Sequence, residues 1–289
     1  MQNEMTPDSI DVIVKKINSL PSLSPVVQKI GSVMSDPDVS ATDIVNVLKM
    51  DPAITGKVLR LANSAYIGMP RTVSSLQNAV VILGQRRIHY LVIAASTLSA
   101  FKPGSSLPFD KMRYWKHSVT SAIVSESIAR HVKRYDAIES EEVFCAGLLH
   151  DIGKLVLGVY YPDPIAVGYK RALENETPFF RSEDKEATHM RVGYLVAEQW
   201  NFPPSLANAI RFHHMPARAE RSLKLVAIVH VADIMVHLIG FNTVKKETVP
   251  EIDERALQRI GLGPERLQVI ADNAIQDEKR LESMIDFFS

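Results

Sequence analysis

Residues 146–155 read AGLLHDIGKL, which sets His150 beside Asp151 in an apolar run, with Lys154 four residues after the histidine. An imidazole next to a carboxylate is costly to bury unless each is hydrogen-bonded or paired with a charge. A divalent cation meets both needs at once. Other residues of ligand type lie at wide intervals: His117 in YWKHSVTSAIVSESI, His189 in EATHMRVGYLVAEQW, the pair His213-His214 in AIRFHHMP, and Asp233 in VHVADIM. Neutral imidazoles ligate zinc, iron, nickel and manganese.

Asp233 carries the sharpest physical demand. Its segment is apolar nearly all round, the pattern of a helix buried on every face. An uncompensated carboxylate there needs either a cation or a lysine or arginine partner such as Lys224. His117 taken alone fits a satisfied core histidine as readily as a ligand. His89, His131 and His237 fit no usable spacing and read as structural, and His230, one turn before Asp233, reads as packing or as support for a ligand. Lys154 has two readings. It could neutralise a phosphate oxygen or a leaving group, or it could be a solvated cation at a helix carboxy terminus marked by Gly153.

These residues need a scaffold, and the apolar residues recur at three- and four-residue spacing with no convincing strict alternation. An all-α fold in two helical lobes is predicted. Ser40 with Asp43 forms a capping box, Asp51 before Pro52 caps a helix with proline at its first position, and Ser74 caps a helix ending at Gly84. Such signals divide 8–101 into about five short helices. The segment FKPGSSLPFD (101–110) reads as a loop. Beyond it a second lobe, 112–240, contains every promising histidine, and 241–289 forms a charged helical tail.

Charge and composition narrow the partners. The 289 residues hold 33 basic and 33 acidic side chains, so no general pull toward nucleic acid or an anionic membrane is expected. The start, MQNEMTPDSIDV, lacks a basic and then apolar leader, and the most apolar stretch, 223–239, is interrupted by Lys224, His230, Asp233 and His237. A cytoplasmic protein without a membrane span is therefore expected. Cys145 is the only cysteine, which excludes an intrachain disulfide and a thiolate-rich zinc site and suits a small packing residue.

The order His, His-Asp, His, His-His, Asp resembles the HD-domain superfamily of metal-dependent phosphohydrolases. LPSLSPVV (20–27), DPAITGKVLRLANSAYIG (51–68) and AVVILG (79–84) narrow the resemblance to the HDOD family, the HD-related output domain of bacterial signalling proteins, over roughly residues 14–215. The resemblance implies a first metal on His117, His150, Asp151 and Asp233, with Asp151 bridging to a second on His189, His213 and His214. Asp151 and Lys154 are the implied catalytic residues. One or two divalent ions, iron, manganese, zinc or nickel, are the implied cofactors.

Two classes of function follow: hydrolysis of a phosphoester or nucleotide, or a regulatory module that binds a signalling partner and uses metal only as structure. Many HDOD proteins have lost metal positions, whereas this chain keeps the whole series. The related HD-GYP cyclic-di-GMP phosphodiesterases follow their paired histidines with an acidic, glycine-rich segment. Here the text is HHMPARAERS, and Arg113 stands where some of them place a third-metal glutamate, so hydrolysis of cyclic-di-GMP is not expected. Tyr160, Tyr161, Arg171 and Arg181 either line a substrate pocket or lie on the surface.

Overall fold

A computed structural model of the chain describes residues 23–34, 36–100, 107–132, 140–276 and 278–288, together with 13, 15 and 17. The described residues are helical, with no strand among them. They divide into two compact units, 21–102 with 275–289, and 1–20 with 103–274. The stretch read as one carboxy-terminal tail is thus shared between the units. Residues 8–12 and 101–106, parts of the first lobe and its following loop, lie outside the described residues.

Among the described residues, the first unit contains five helices before residue 101: α1 (Pro25–Val33), α2 (Ala41–Leu48), α3 (Pro52–Ala62), α4 (Leu76–Leu83) and α5 (Gln85–Ala100). The starts of α1 to α4 follow from side chains that accept the first free backbone N–H groups. Ser40 and Asp43 make the reciprocal capping box, and Asp51 accepts from Ala53 and Ile54. The cap of α4 is Ser75 rather than Ser74, because it is the Ser75 hydroxyl that accepts from the Asn78 amide. Gly84 ends α4 at φ +81°, a conformation that a Cβ would penalise. Asn63 bonds both the N–H and the carbonyl of Val73, at 2.7 and 2.8 Å, which fastens the loop after α3. The NSA run of the sequence therefore has a structural use in this unit.

The second unit is built on α6 (Lys111–His131), α7 (Ser140–Leu149), α8 (Ile152–Tyr160), α9 (Pro162–Glu174), α10 (Phe179–Ser182), α11 (His189–Gln199), α12 (Pro204–Phe212), α13 (Leu223–Leu238), α14 (Glu254–Ile260) and α15 (Pro264–Gln276). α13 is buried from Leu225 to His237, as its apolar periphery predicts. Each fully buried large aliphatic side chain on it contributes about 1.5–3 kcal/mol of transfer free energy. The run Glu142–Tyr160 is apolar enough to cross a membrane, yet 89% of that window is buried in the fold. It is interior helix, broken in its middle.

That break corrects the sequence reading. His150 and Asp151 do not sit within one helix. α7 stops at Leu149 and α8 starts at Ile152, with Asp151 at its N-cap position. Gly153 therefore lies in the first turn of α8, not at a carboxy terminus. A Cβ on Gly153 would lie 1.8 Å from the His189 carbonyl oxygen, and one on Gly193 would press on Ile210 at 2.7 Å. α8 and α11 thus cross in backbone contact, and the crossing brings His189 to the His150-Asp151 break. Gly153→Ala is expected to lower the urea midpoint by the equivalent of at least ~2 kcal/mol, since backbone must move to admit the methyl. Gly56→Ala, in α3 with open space at the Cβ position, is expected to raise stability by about 0.5–1 kcal/mol.

Candidate metal centre

An aspartate at an N-cap normally accepts a backbone N–H from the first turn of its helix. Asp151 makes no such bond. Its carboxylate turns inward instead, and residues from five other segments meet it. α6 brings His117, the end of α7 brings His150, the start of α11 brings His189, the end of α12 brings His213 and His214, and α13 brings Asp233. The side chains of His117, His150, Asp151, His189 and His213 are fully buried, and that of Asp233 is 1% exposed. All seven sequence-predicted ligands are thereby brought together.

The orientation of the rings is fixed by their outer nitrogens. A carbonyl oxygen can only accept, so Nδ1–H donates in three cases: His117 to Phe241 at 2.8 Å, His150 to Gly147 at 2.7 Å and His213 to Ile210 at 2.8 Å. His189 Nδ1 meets Glu183 Oε2 at 2.6 Å, while Glu183 Oε1 accepts the His189 amide at 2.8 Å. In the neutral rings each Nε2 then carries an inward lone pair. These lone pairs face one another, His117 to His150 at 3.3 Å and His189 to His213 at 3.1 Å. Around them, Asp151 Oδ1, both Asp233 oxygens, and Nδ1 of His214 and His237 have no hydrogen-bond partner among the described residues. Converging lone pairs and orphaned carboxylate oxygens in a dry interior fit a bound cation.

The carboxylate of Asp151 is divided between two groups. Oδ2 lies 3.5 Å from His117 Nε2 and 3.4 Å from His150 Nε2; Oδ1 lies 3.3 Å from His189 Nε2 and 3.7 Å from His213 Nε2. Among the described residues, three sets have mutual spacing suited to an ion: Asp151, His189, His213 and His214; His117, His150 and Asp151; and His117, Asp233 and His237. The last set corrects the view of His237 as merely structural. Its Nε2 is 3.4 Å from Asp233 Oδ1, one helical turn away on α13. Among the described residues, imidazoles lie within ion-pair distance of Asp233: His117 at 3.2 Å, His237 at 3.4 Å, and His150 and His214 at 3.5 Å.

Electrostatics match this placement. Burial opposes the charge on both carboxylates. Lys154, His150, His189 and His117 nonetheless hold Asp151 well below the usual carboxylate range, and His237, His117 and His150 do the same for Asp233. Burial pushes His189 down to about 3 and His213 and His214 well below the usual imidazole value. These rings are neutral bases ready for a metal. His150 and His237 move the other way, because their carboxylate neighbours outweigh burial. Lys154 is 1% exposed with Nζ 2.7 Å from Asp151 Oδ2, so the reading as a solvated lysine is overturned.

Support for the ligands was less legible in the sequence. Glu183 lies on the turn after α10, six residues before His189, where no helical spacing could flag it. Burial pushes its carboxyl well above the usual range, against the pull of the His189 amide and Lys154. His230 is more than packing: Nδ1–H donates to the His213 carbonyl at 2.6 Å, and Nε2 accepts the Asp253 amide at 2.9 Å. Tyr160 and Tyr161 are half-buried, and Arg171 and Arg181 are exposed. Arg181 lies 5.6 Å from the Phe180 ring, which stacks on His214 at 4.4 Å.

A family model described as the HDOD domain matches residues 20–216. Among solved structures, an HDOD domain protein of unknown function from Geobacter sulfurreducens is 23% identical, with 96% of this chain and 94% of that one covered and a TM-score of 0.70. A proposed phosphohydrolase from Shewanella amazonensis is 24% identical, covering 96% and 98%, at TM-score 0.71. Among curated proteins, an uncharacterized protein of Treponema pallidum is 25% identical over 234 residues, 80% of this chain and 45% of that protein. The chain spans less than half the length of the curated relatives it matches.

Asp233→Asn keeps the shape but removes the charge, so bound metal is expected to fall steeply in titrations against a chelating dye. Glu183→Gln, which only loosens the hold on His189, is expected to weaken metal affinity ~10–100-fold. Because binding to the native state adds stability by mass action, a chelator should lower the melting temperature of the parent chain far more than that of Asp233→Asn. Full metal occupancy in Asp233→Asn would remove that residue from the centre.

Proposed function

This chain belongs to the HDOD domain family, and from that premise we propose that it is a signalling module with a dinuclear metal centre that hydrolyses a phosphoester. The observation that carries the proposal is the division of Asp151, one oxygen toward each group of imidazoles. A single structural ion has no use for a shared carboxylate, whereas two adjacent ions do. His117, His150, Asp151 and Asp233 would hold one divalent ion, with His237 beside it, and His189, His213 and His214 the other. Iron, manganese, zinc and nickel all accept this donor set. When bound, two such ions lower the pKa of a water and neutralise charge on a transferring phosphoryl group.

The protein's own groups prepare that chemistry. Each Nδ1 anchor keeps a ring from turning, so the Nε2 lone pairs stay inward without reorganisation. Glu183 fixes the orientation of the His189 ring through its contact with Nδ1. Burial opposes the Lys154 charge, but Asp151 outweighs it and keeps the ammonium protonated. Lys154 can then lend positive charge to a phosphate oxygen or a leaving group.

A second reading rests on the burial. None of the seven ligands has a side chain more than 3% exposed. A closed shell suits a structural ion in a regulatory module that binds a partner protein or nucleotide. Metal analysis combined with a hydrolysis screen separates the two. The hydrolase reading expects about two divalent ions per chain. It also expects metal-dependent turnover of an aryl phosphate or phosphomonoester, lost with a chelator and reduced at least ~100-fold in Lys154→Met. Cyclic-di-GMP should not be linearised. Full metal without turnover of any phosphoester would move the chain to the regulatory reading.

A further inference from the structure

The segment that follows the histidine pair, MPARAERS, is unused by the metal centre. It forms a short 3-10 turn at Pro216–Arg218 and reaches α13 through Ser222, which adopts a left-handed conformation at φ +53°. Together with α11 and α12 it encloses a depression of about 400 Å³. Three arginines line it: Arg211 from α12, and Arg218 and Arg221 from the turn. All three are exposed.

We propose that this depression binds a nucleoside monophosphate or a close relative, a small molecule with one phosphomonoester and a polar body. The guanidinium of Arg211 lies 4.4 Å over the Tyr194 ring and 5.3 Å from that of Phe212. Stacking fixes the plane of the fork and leaves its N–H edges free, the state in which arginine takes a phosphate bidentately. Arg218 and Arg221 face the same space. Among the described residues none of the three forms an ion pair, although Arg191 nearby on α11 holds Glu186 at 2.6 Å.

Glu198 and Glu220 share the lining without neutralising the arginines. Three guanidiniums against two carboxylates leave a net charge of +1 (3 − 2), which favours an anion without demanding a highly charged one. The carboxylates and Asn208 can accept hydrogen bonds from the sugar hydroxyls and base amino groups of a nucleoside, which lie farther from the phosphorus than the hydroxyls of inorganic phosphate and so reach across the depression. The volume falls within the range of small-molecule sites, about 300–1,000 Å³. The site uses none of the proposed metal ligands and stands whether or not the chain hydrolyses anything.

Calorimetric titration of the full chain with adenosine and guanosine 5′-monophosphate at physiological salt tests this. Saturable 1:1 binding is expected, weakened at least tenfold in Arg218→Gln/Arg221→Gln, whose melting temperature should match the parent. The corresponding nucleosides should bind at least tenfold more weakly than the monophosphates. In the parent chain, either nucleotide should also protect Arg218 and Arg221 from phenylglyoxal, read by peptide mass, a measurement that needs no variant. Four results would overturn the proposal: no saturable binding, inorganic phosphate binding as tightly as the nucleotides, tighter binding of single-stranded RNA, or an affinity that falls with Asp151→Asn and not with the arginine pair.

Discussion

The carboxylate of Asp151, fully buried and divided between two sets of imidazoles, is the constraint to which the rest of its unit answers. A second buried carboxylate, Asp233, stands close by, and two negative charges in a dry interior repel each other as well as losing their water. The compensation comes from everywhere at once. α6, the break between α7 and α8, the start of α11, the end of α12 and the last turn of α13 each deliver one or two basic groups to that point. No single helix could supply them, since positions on one face recur only every three or four residues. Convergence of several helices is the general solution, and it explains why the ligands lie far apart in sequence.

Convergence has a packing cost, and glycines meet it. The His150-Asp151 break can touch the start of α11 only because Gly153 and Gly193 let two backbones approach within side-chain distance. The position of His189 is therefore set by backbone contact, and its orientation by Glu183. His213 is fixed in the same layered way, its ring by the Ile210 carbonyl and its backbone by His230. His230 in turn accepts the amide of Asp253, the N-cap of α14. The outer helix thus has a hydrogen-bonded route to the centre, distinct from any apolar contact.

What the sequence made legible was composition-driven. The caps at Ser40 and Asp51 are side-chain identities with one dominant physical use each, whereas the buried carboxylate of α13 and the histidine series could be read as a group without the fold, though Asp233 and His117 taken singly kept two readings. The errors have a different origin. Ser74 and Ser75 are chemically equal candidates, and only the chain path selects the second. His150 and Asp151 looked mid-helical because the apolar spacing continues across the break, which periodicity alone cannot register. Glu183 and the Phe241 carbonyl act through loops, where spacing carries no information. His237 is the avoidable miss, for it stands four residues after Asp233 on the same helical face.

Lys154 bears on how the centre divides its work between fixed and exchangeable charge. Its ammonium lies on Asp151 Oδ2, the oxygen turned toward His117 and His150, and it is tethered by the first turn of α8. A covalently tethered cation remains when a metal leaves, so part of the carboxylate charge is always covered. Among the described residues, the groups within ion-pair distance of the remainder, Oδ1 of Asp151 and both oxygens of Asp233, are imidazoles. To act as cations those rings must take up protons, which burial resists in His117, His189, His213 and His214. Divalent metal escapes that conflict, because it binds the neutral rings and the carboxylates in the forms that their surroundings already favour. The pattern of neutral bases around a partly compensated carboxylate pair is thus better explained by a metal centre than by a proton-linked histidine cluster, and the anchoring of four rings at Nδ1 gives it a preformed geometry.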